Sequence, residues 1–573
     1  MKKVLCLVLA FMMLWSVTAS AMISLDVNVA DVPETAKNYE GAIIASYDEN
    51  GMLVGVSTDG KLPENAKTVK LFATGEKEKV EEPAAEVNET GVGGFVNKNE
   101  NPDDTWVVGL VGASTVQAGW YTAFLYQYYA TRYPDKNIVL LNKGSAGCTA
   151  WDIFKRLNWD IFNEDDPLGY GACDEITIMV GANDLSYGMY TDGKMADDEY
   201  EAHYDGKKKY QNNPAKANSY VPDMTRKVEE CFNTYKRVVK WCKEHDKKVT
   251  FTPMTLYDES DAFESTLSYG VCYGSNHAFG MLSDRLEAYA KEEGIPFVDT
   301  WGLSNEYTNT IRANYPGVKT VITGTDGLHH SANGGYMVGY IIANEQEKDD
   351  VVASVEIDVA TKEAKAETAT VSELNASKTK VTYTYLPQAL PLYAKASGYE
   401  FAEKYGVDIT NTMNKEIIKV TGLEAGKYTI KMDGKVVADV TAEQLAEGVN
   451  IATLENNPGQ IQSKALYDNY YEKRRLAEND IRHIFNEELR LRNVNLSSYS
   501  VHYDDPSYKE FTAQDWVDLC NKFVAEGCGT LNADTYPEKK LRQDEIVKEV
   551  RACIEGLAKD SIPTEHKVEI VKK

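Results

Sequence analysis

The segment WVVGLVGAST, Trp106–Thr115, is the stretch on which the fold prediction depends. Its first half is a short, nearly continuous apolar run, which is typical of a strand buried on both faces. The run ends in Gly112-Ala113-Ser114-Thr115, and this order of small and hydroxyl residues indicates a turn into a helix. The sequence therefore predicts a central strand followed directly by a helix that begins near a serine.

The same strand-then-helix pattern recurs after this segment. Four further strand candidates are Asn137–Leu141, Glu175–Val180, Lys248–Thr252 and Pro296–Asp299. Helical periodicity occurs at Trp120–Tyr133, Ala150–Leu157, Thr225–Lys243, Ala278–Glu293 and Gly335–Asn344. Strands that alternate with helices form parallel sheets covered on both faces. The prediction is an α/β domain over residues 105–345 with a five-stranded parallel sheet.

Small and polar residues follow the predicted strands. Ser114 follows the first strand, Gly147 the second and Asn183 the third. Asp326 and His329 come after the last strand. Because open α/β sheets bind ligands beyond the carboxyl ends of their strands, we expect these residues on one rim. A hydroxyl, an Asp/His pair and nearby N–H donors are the groups that acyl transfer needs.

These blocks, in this order, resemble the SGNH/GDSL hydrolase superfamily, and within it the secreted bacterial GDSL-like lipases/acylhydrolases and carbohydrate esterases. The resemblance implies a flavodoxin-like three-layer sandwich for the α/β domain. It implies Ser114 as the nucleophile, His329 as its base and Asp326 as the residue that orients the imidazole. It also implies an oxyanion hole built from the Ser114 and Gly147 backbone N–H groups and the Asn183 side-chain amide. No cofactor and no metal are expected.

Each assignment has a structural alternative. Ser114 could cap the helix that follows it, because serine is a favoured N-cap residue. Gly147 and Asn183 could be ordinary turn residues. His330 competes with His329 as the base. The resemblance is also incomplete, since the family usually has Asp directly before the nucleophile, where this chain has Ala113.

A second Asp-x-x-His sequence occurs at Asp480/His483, far from the four blocks. It lies in a charged helical stretch, and charged residues three or four apart on a helix usually form a solvated face. We therefore expect a solvent-exposed surface there. The charged neighbours that carry this expectation are Arg474, Arg475, Glu478 and Arg482. A further departure from the family is Cys148, where Asp is common.

The composition excludes some partners. The chain of 573 residues has 61 Lys+Arg and 88 Asp+Glu, a formal net charge of −27. Binding to nucleic acid or to anionic membranes requires clustered basic residues, so neither partner is expected. The hydrophobic fraction of 43 % is ordinary for a globular protein. The oligomeric state is left open by the sequence.

The N-terminus predicts export. Lys2 and Lys3 precede the apolar run Val4–Trp15, and Ala19-Ser20-Ala21 follows it, as in a secretory signal peptide over residues 1–21. No integral membrane segment is expected after cleavage. Eight cysteines are left in the mature chain, and we expect most of them to be buried free thiols. The predicted localisation is secreted or extracellular.

Outside the α/β domain the patterning changes. Residues 22–75 predict a small β module with a hairpin around Asn50-Gly51, and residues 76–104 read as a linker. Residues 351–440 predict a β-rich accessory unit, and residues 441–573 a helical C-terminal region. The last residues, Ile562–Lys573, are rich in Lys and Glu and predict a loose tail.

Three functions compete at this point. The leading hypothesis is a secreted serine esterase that removes acyl groups, acetyl above all, from polysaccharides, so that the partner is an acylated carbohydrate or another small ester. The first alternative is a lipid esterase or lysophospholipase. The second is a catalytically weak, surface-associated carbohydrate-binding protein, for which Ala113 would be the first sign of lost activity. The presence of Ser114, Asp326 and His329 speaks against this last alternative.

Overall fold

The computed structural model divides the chain into two compact units, Met1–Asn88 and Glu89–Lys573. The predicted signal peptide lies outside the described residues. The structure describes residues 23–27, 39–40, 43–48, 53–57, 62, 66–73, 75–76, 94–96, 104–185, 220–260, 274–492, 508, 510–527 and 532–573.

The N-terminal unit is a small antiparallel β structure. Its strands are β1 (Ile23–Val27), β2 (Tyr39–Glu40), β3 (Ile43–Tyr47), β4 (Leu53–Ser57), β5 (Thr68–Ala73) and β6 (Gly75–Glu76). Four of them form a sheet in the order β1-β5-β3-β4, while β2 pairs with β6. The predicted hairpin is the β3–β4 pair, in which Ala45 faces Val56. Ile44 and Val69 are buried in this unit.

The second unit begins with alternating strands and helices. The strands are β7 (Trp106–Gly112), β8 (Ile138–Gly144), β9 (Glu175–Met179) and β10 (Lys248–Phe251). The helices are α1 (Ser114–Gln117), α2 (Trp120–Arg132), α3 (Ala150–Arg156), α4 (Tyr220–Glu244), α5 (Ser275–Glu293), α6 (Thr300–Asn314) and α7 (Ala332–Glu347). One π-helical turn, Leu157–Ile161, extends α3.

The central sheet is parallel and has four strands in the order β10-β9-β7-β8. The predicted fifth strand at Pro296–Asp299 is not confirmed. Its contact with the sheet is the single parallel bridge between Phe251 and Phe297, because β10 ends at Phe251 and the following chain turns into a loop. Every residue of β9 is buried, so helices cover both faces of the sheet, as the apolar strand sequences predict.

Two helices that are distant in sequence pack closely beside the sheet. Helix α7 lies against α2 through two glycines. A Cβ atom at Gly335 would lie 2.3 Å from the Trp120 Cβ, and one at Gly339 would lie 2.7 Å from the Phe124 Cβ. Any larger residue at these two positions would therefore push the helices apart. Helix α7 begins at Ala332, directly after the loop that carries Asp326 and His329, so this packing fixes the helix to which the loop is attached.

A second group of sheets follows α7 without a break. One sheet has the order β12-β11-β15-β18 and another the order β13-β14-β19-β16-β17. They share a hydrophobic core that includes Ile357, Tyr383 and Ile430. The strands are β11 (Val351–Asp358), β12 (Glu363–Glu367), β13 (Ala369–Ala376), β14 (Lys380–Pro387), β15 (Lys415–Thr421), β16 (Lys427–Met432), β17 (Lys435–Thr441), β18 (Val449–Asn450) and β19 (His566–Lys572).

The expectation of a loose C-terminal tail is wrong. Residues His566–Lys572 form β19, which pairs with β14 on one side and β16 on the other. Val568 and Ile570 are buried, because alternate residues of this strand face the core while the charged residues between them face outward. The chain end is therefore an interior strand of the five-stranded sheet.

The remaining helices join the two groups of elements. They are α8 (Ser397–Lys404), α9 (Ile409–Thr412), α10 (Ala442–Glu447), α11 (Pro458–Leu466), α12 (Glu472–Leu491), α13 (Ala513–Ala525), α14 (Tyr536–Leu541) and α15 (Gln543–Asp560), with a π-helical turn at Tyr467–Tyr471 between α11 and α12. Apolar residues of α12, α13 and α15 belong to the same core as the parallel sheet. Helix α12 packs against β8 and α2.

The expectation of a solvated face on α12 is wrong. Its charged residues Arg474, Arg475, Glu478 and Arg482 are all buried. Arg482 forms a bidentate ion pair with Asp160, at 2.8 and 2.9 Å. The Arg475 guanidinium lies over the Trp120 ring and donates to the Ala118 carbonyl at 2.8 Å. These partners lie more than 300 residues away in the chain, which is why a local charge pattern misses them.

Two further predictions concern membranes and thiols. Within the described part of the chain, no helix is long and apolar enough to cross a membrane. Six cysteines of the described residues are buried and form no disulfide there, which confirms the prediction of buried thiols for these positions. They are Cys148, Cys173, Cys231, Cys242, Cys520 and Cys553. Cys272 and Cys528 lie outside the described residues.

Candidate active site

Ser114 is the first residue of α1, directly after the carboxyl end of β7. The N-cap residue of this short helix is Ala113, and no side chain caps it. The Ser114 hydroxyl lies 2.7 Å from the His329 Nε2 atom. The serine therefore contacts the imidazole, and the capping alternative does not describe its side chain.

His329 and Asp326 lie in a tight loop between Gly324 and Ser331. The Gly324 N–H donates to the His329 carbonyl at 2.7 Å, and Gly327 adopts a positive φ of 75°. This turn brings the His329 Nδ1 atom to 2.6 Å from the Asp326 Oδ2 atom. With its Nδ1–H directed at the carboxylate, the imidazole presents the Nε2 lone pair to Ser114.

The Asp326 carboxylate is anchored by more than the histidine. Its Oδ1 atom accepts hydrogen bonds from the Leu328 and His329 backbone N–H groups, each at 2.9 Å. Burial alone would raise the pKa of Asp326, but the hydrogen bonds from His329 and from these N–H groups outweigh it and hold the pKa below its usual value. The residue beside the imidazole is therefore a fixed carboxylate.

His330 has a different environment from His329. It is buried, and its Nε2 atom lies 2.9 Å from the Thr255 hydroxyl. Its Nδ1 atom is buried without a hydrogen-bond partner among the described residues. Burial, together with the neighbouring His329, lowers the pKa of His330 to about 3. The neutral, buried imidazole of His330 therefore contacts Thr255, whereas Ser114 contacts His329.

The two residues assigned to the oxyanion hole follow the strands on either side of β7. Gly147 follows β8 in an exposed turn with a φ of 82°, a conformation that favours glycine. Asn183 follows β9, and its amide nitrogen donates to the Cys148 carbonyl at 2.7 Å. The structure thus joins the Asn183 amide to the loop of Gly147, and it joins Ser114, His329 and Asp326 to one another.

Asp184, beside Asn183, is a residue of this region to which the sequence analysis assigns no role. Its carboxylate accepts from the Ala150 N–H at the start of α3, with distances of 3.1 and 3.2 Å. Burial raises the pKa of Asp184 to about 7, even though the Ala150 hydrogen bond opposes this shift. The group thus links the Asn183 turn to the helix that follows the Gly147 loop.

Gln117 is a second residue that the sequence reasoning missed. Its Oε1 atom accepts from the Ala146 N–H at 2.7 Å, directly before Gly147. The same Oε1 atom accepts from the Asn486 amide of α12 at 2.6 Å. A glutamine three residues after Ser114 belongs to no recognisable sequence motif, and its partner Asn486 lies 369 residues away in the chain.

The second Asp-x-x-His sequence has other contacts. Asp480 pairs with the Lys539 ammonium at 2.8 Å, and His483 Nδ1 lies 3.2 Å from the same nitrogen. Burial and the nearby Lys539 lower the pKa of His483. These two residues contact a lysine of α14, in a place separate from the Ser114 loop.

Comparison with known proteins gives structural matches only. No protein-family model and no curated protein matches the chain. A gut microbial diltiazem-metabolizing enzyme is 21 % identical and superposes with a TM-score of 0.63, covering 82 % of this chain and 98 % of that one. A catalytic mutant of an acetylxylan esterase from Geobacillus stearothermophilus is 19 % identical, with a TM-score of 0.28, and covers 42 % of this chain and 93 % of that one.

A GDSL-like lipase from Bacteroides thetaiotaomicron is 15 % identical, with a TM-score of 0.24, and covers 41 % of this chain and 85 % of that one. The first match extends over most of the chain and so includes both the parallel sheet and the elements that follow it. It shows that this chain shares its overall fold with that enzyme.

Proposed function

We propose that the protein is a secreted serine esterase that hydrolyses carboxylic esters, with acetyl groups on polysaccharides as its substrates. The observation that carries the proposal is the hydrogen-bonded series Asp326–His329–Ser114 at the carboxyl end of β7. A serine hydroxyl is a weak nucleophile until a base takes its proton, and His329 is within hydrogen-bond distance of it.

The proposed reaction proceeds by acyl transfer. His329 takes the Ser114 proton as the hydroxyl oxygen attacks the ester carbonyl, and it then returns that proton to the leaving alcohol. Asp326 stabilises the imidazolium that forms between these steps. Water, deprotonated by His329, attacks the acyl-enzyme and releases the carboxylic acid and Ser114. The backbone N–H groups of Ser114 and Gly147 and the Asn183 amide stabilise the oxyanion in both halves.

The proposed substrate class rests on the N-terminus, the sequence pattern and the structural similarity. The predicted signal peptide supports action outside the cell. Apart from the predicted signal peptide, the sequence has no long apolar stretch that would favour a lipid surface. The structural similarity to a diltiazem-metabolizing enzyme supports a site that accepts small molecules.

The direct test is hydrolysis of 4-nitrophenyl acetate. The wild-type protein should release nitrophenol and acetate, because His329 can take the Ser114 proton as the hydroxyl attacks the ester. Ser114→Ala should remove the activity. Ser377→Ala is the matched control, since the Ser377 hydroxyl lies in an exposed turn of the β-rich region and is not one of the proposed site residues. Equal rates for Ser114→Ala and the wild type would overturn the mechanism.

Acyl and glycan preferences test the substrate. Acetate should be cleaved faster than octanoate, and acetate should be released from acetylated xylan, pectin or peptidoglycan. Faster cleavage of long acyl chains would favour the lipid esterase. A wild-type protein that binds these glycans without releasing acetate would favour the carbohydrate-binding alternative.

A further inference from the structure

Helix α12, from the C-terminal part of the chain, contacts the back of the proposed oxyanion loop. The Asn486 side chain is 5 % exposed and the Gln117 side chain 3 %. Asn486 Nδ2 donates to Gln117 Oε1 at 2.6 Å, and the Ser145 hydroxyl donates to Asn486 Oδ1. One turn earlier, Arg482 Nε donates to the Gly144 carbonyl at 2.7 Å. The helix therefore binds two consecutive residues of the chain that leads to Gly147.

The direction of these hydrogen bonds sets the orientation of the Gln117 amide. Because Asn486 presents its NH₂ group, Gln117 turns its oxygen toward it. The same oxygen accepts from the Ala146 N–H at 2.7 Å. The Gln117 NH₂ group then points toward the Asn479 Oδ1 atom, 3.4 Å away on α12. A flipped Gln117 would place an N–H group against the Ala146 N–H, so Asn486 fixes the contact that holds the loop.

We propose that Gln117 and Asn486 are positioning residues for the Gly147 oxyanion donor, and that they supply the support that Ala113 cannot. This inference rests on the proposed function. Ala113 is buried and has no polar side-chain atom, so the residue before the nucleophile cannot hold the neighbouring loop by a side-chain hydrogen bond. Gln117, one turn further along the nucleophile segment, provides an acceptor from the same element.

The consequence for catalysis concerns the transition state. An oxyanion donor is worth about 10²–10³ in kcat when it is removed outright. When only its support is lost, the Gly147 N–H is still present but displaced. We therefore expect kcat to fall by about 10–100-fold. Because the donor acts on charge that develops in the transition state, kcat should fall and KM should stay within about two-fold.

The test uses near-isosteric variants of the full chain. Gln117→Met removes the acceptor, Asn486→Leu removes the group that orients it, and Gln117→Glu retains an acceptor oxygen. Ile484→Val is the control, since Ile484 is buried on the same helix in the apolar core. For each variant, hydrogen–deuterium exchange of the peptide covering residues 144–149 is measured together with kcat and KM for 4-nitrophenyl acetate.

The expected result is faster exchange of this peptide in Gln117→Met and Asn486→Leu, a lower kcat in both, and wild-type exchange in Gln117→Glu and Ile484→Val. The double variant should lower kcat by less than the product of the two single effects, because the two side chains share the Asn486–Gln117 hydrogen bond. Unchanged exchange, or faster exchange with an unchanged kcat, would overturn the positioning role. A wild type without Ser114-dependent hydrolysis would overturn the proposed function and the catalytic role of the pair, while the exchange rates would still decide whether the contact exists.

Discussion

Replacement of Arg482 by methionine tests the interpretation of α12 as a buried, charged brace. Methionine keeps much of the side-chain length and removes the guanidinium. Three hydrogen bonds are lost: two to the Asp160 carboxylate, at 2.8 and 2.9 Å, and one to the Gly144 carbonyl, at 2.7 Å. Both side chains of the ion pair are 5 % exposed, so water cannot replace the lost partner.

The loss of stability in Arg482→Met depends on the Asp160 carboxylate, which stays buried when the guanidinium is removed. Although burial opposes it, Arg482 and Arg156 together hold the pKa of Asp160 well below its usual value. Removal of one partner of a buried ion pair typically costs about 3–5 kcal/mol, because the other charge stays buried. Arg156 still donates to Asp160 at 2.9 Å, so we expect the lower end, about 3 kcal/mol of the free energy of unfolding.

The assay is urea unfolding followed by circular dichroism, for the wild type and Arg482→Met. Arg542→Met is the control, because Arg542 forms ion pairs with Glu538 and Glu545 that are exposed and screened by solvent. In an Asp160→Asn background the cost of Arg482→Met should be smaller by more than about 1 kcal/mol. A loss for Arg482→Met no larger than that of the control would refute the buried-brace interpretation.

Three other outcomes are expected. Asp326→Asn should lower kcat for 4-nitrophenyl acetate by about 10⁴-fold with an unchanged circular dichroism spectrum, because the amide favours the wrong imidazole tautomer; a full-rate variant would contradict this. Asp184→Asn should flatten the pH dependence of stability. The folded-state pKa of Asp184 is about 7, above its usual value of 3.8. Protonation of Asp184 therefore stabilises the fold by at most about 4 kcal/mol below pH 3.8, and this contribution is lost as the pH rises to about 7. Equal slopes of urea midpoint against pH in both proteins would contradict this prediction. Deletion of residues 566–573 removes the strand between β14 and β16, so the product should lose cooperative thermal unfolding; a wild-type melting temperature would show that β19 is dispensable.

The local parts of the structure could be predicted from the sequence. Strands β7 to β10 carry short apolar runs, and each block of the candidate site lies within a few residues of a strand end or loop. The Asp326–His329 contact depends on a separation of three residues in one loop, which the sequence displays directly. Features of this kind need no knowledge of distant partners.

The rest depends on contacts that the sequence does not display. A buried charged helix and a solvated one have the same spacing of Arg and Glu, and only the partners Asp160 and Ala118 distinguish them. The sequence of strand β19 contains a strand pattern, since the apolar residues Val568 and Ile570 alternate with charged residues. The high charge of the segment nevertheless favoured the prediction of a loose tail. The fifth strand of the parallel sheet was expected from a run of four residues, too short to show that only one bridge would form.

The central claim is that Ser114 is a nucleophile activated by His329, and covalent labelling tests it most directly. The protein is treated with a fluorophosphonate, and the modified residue is located by mass spectrometry of its peptides. We expect one adduct, on Ser114, that forms much more slowly in His329→Ala and not at all in Ser114→Ala. An unlabelled wild-type protein, or an adduct that persists in Ser114→Ala, would contradict the account.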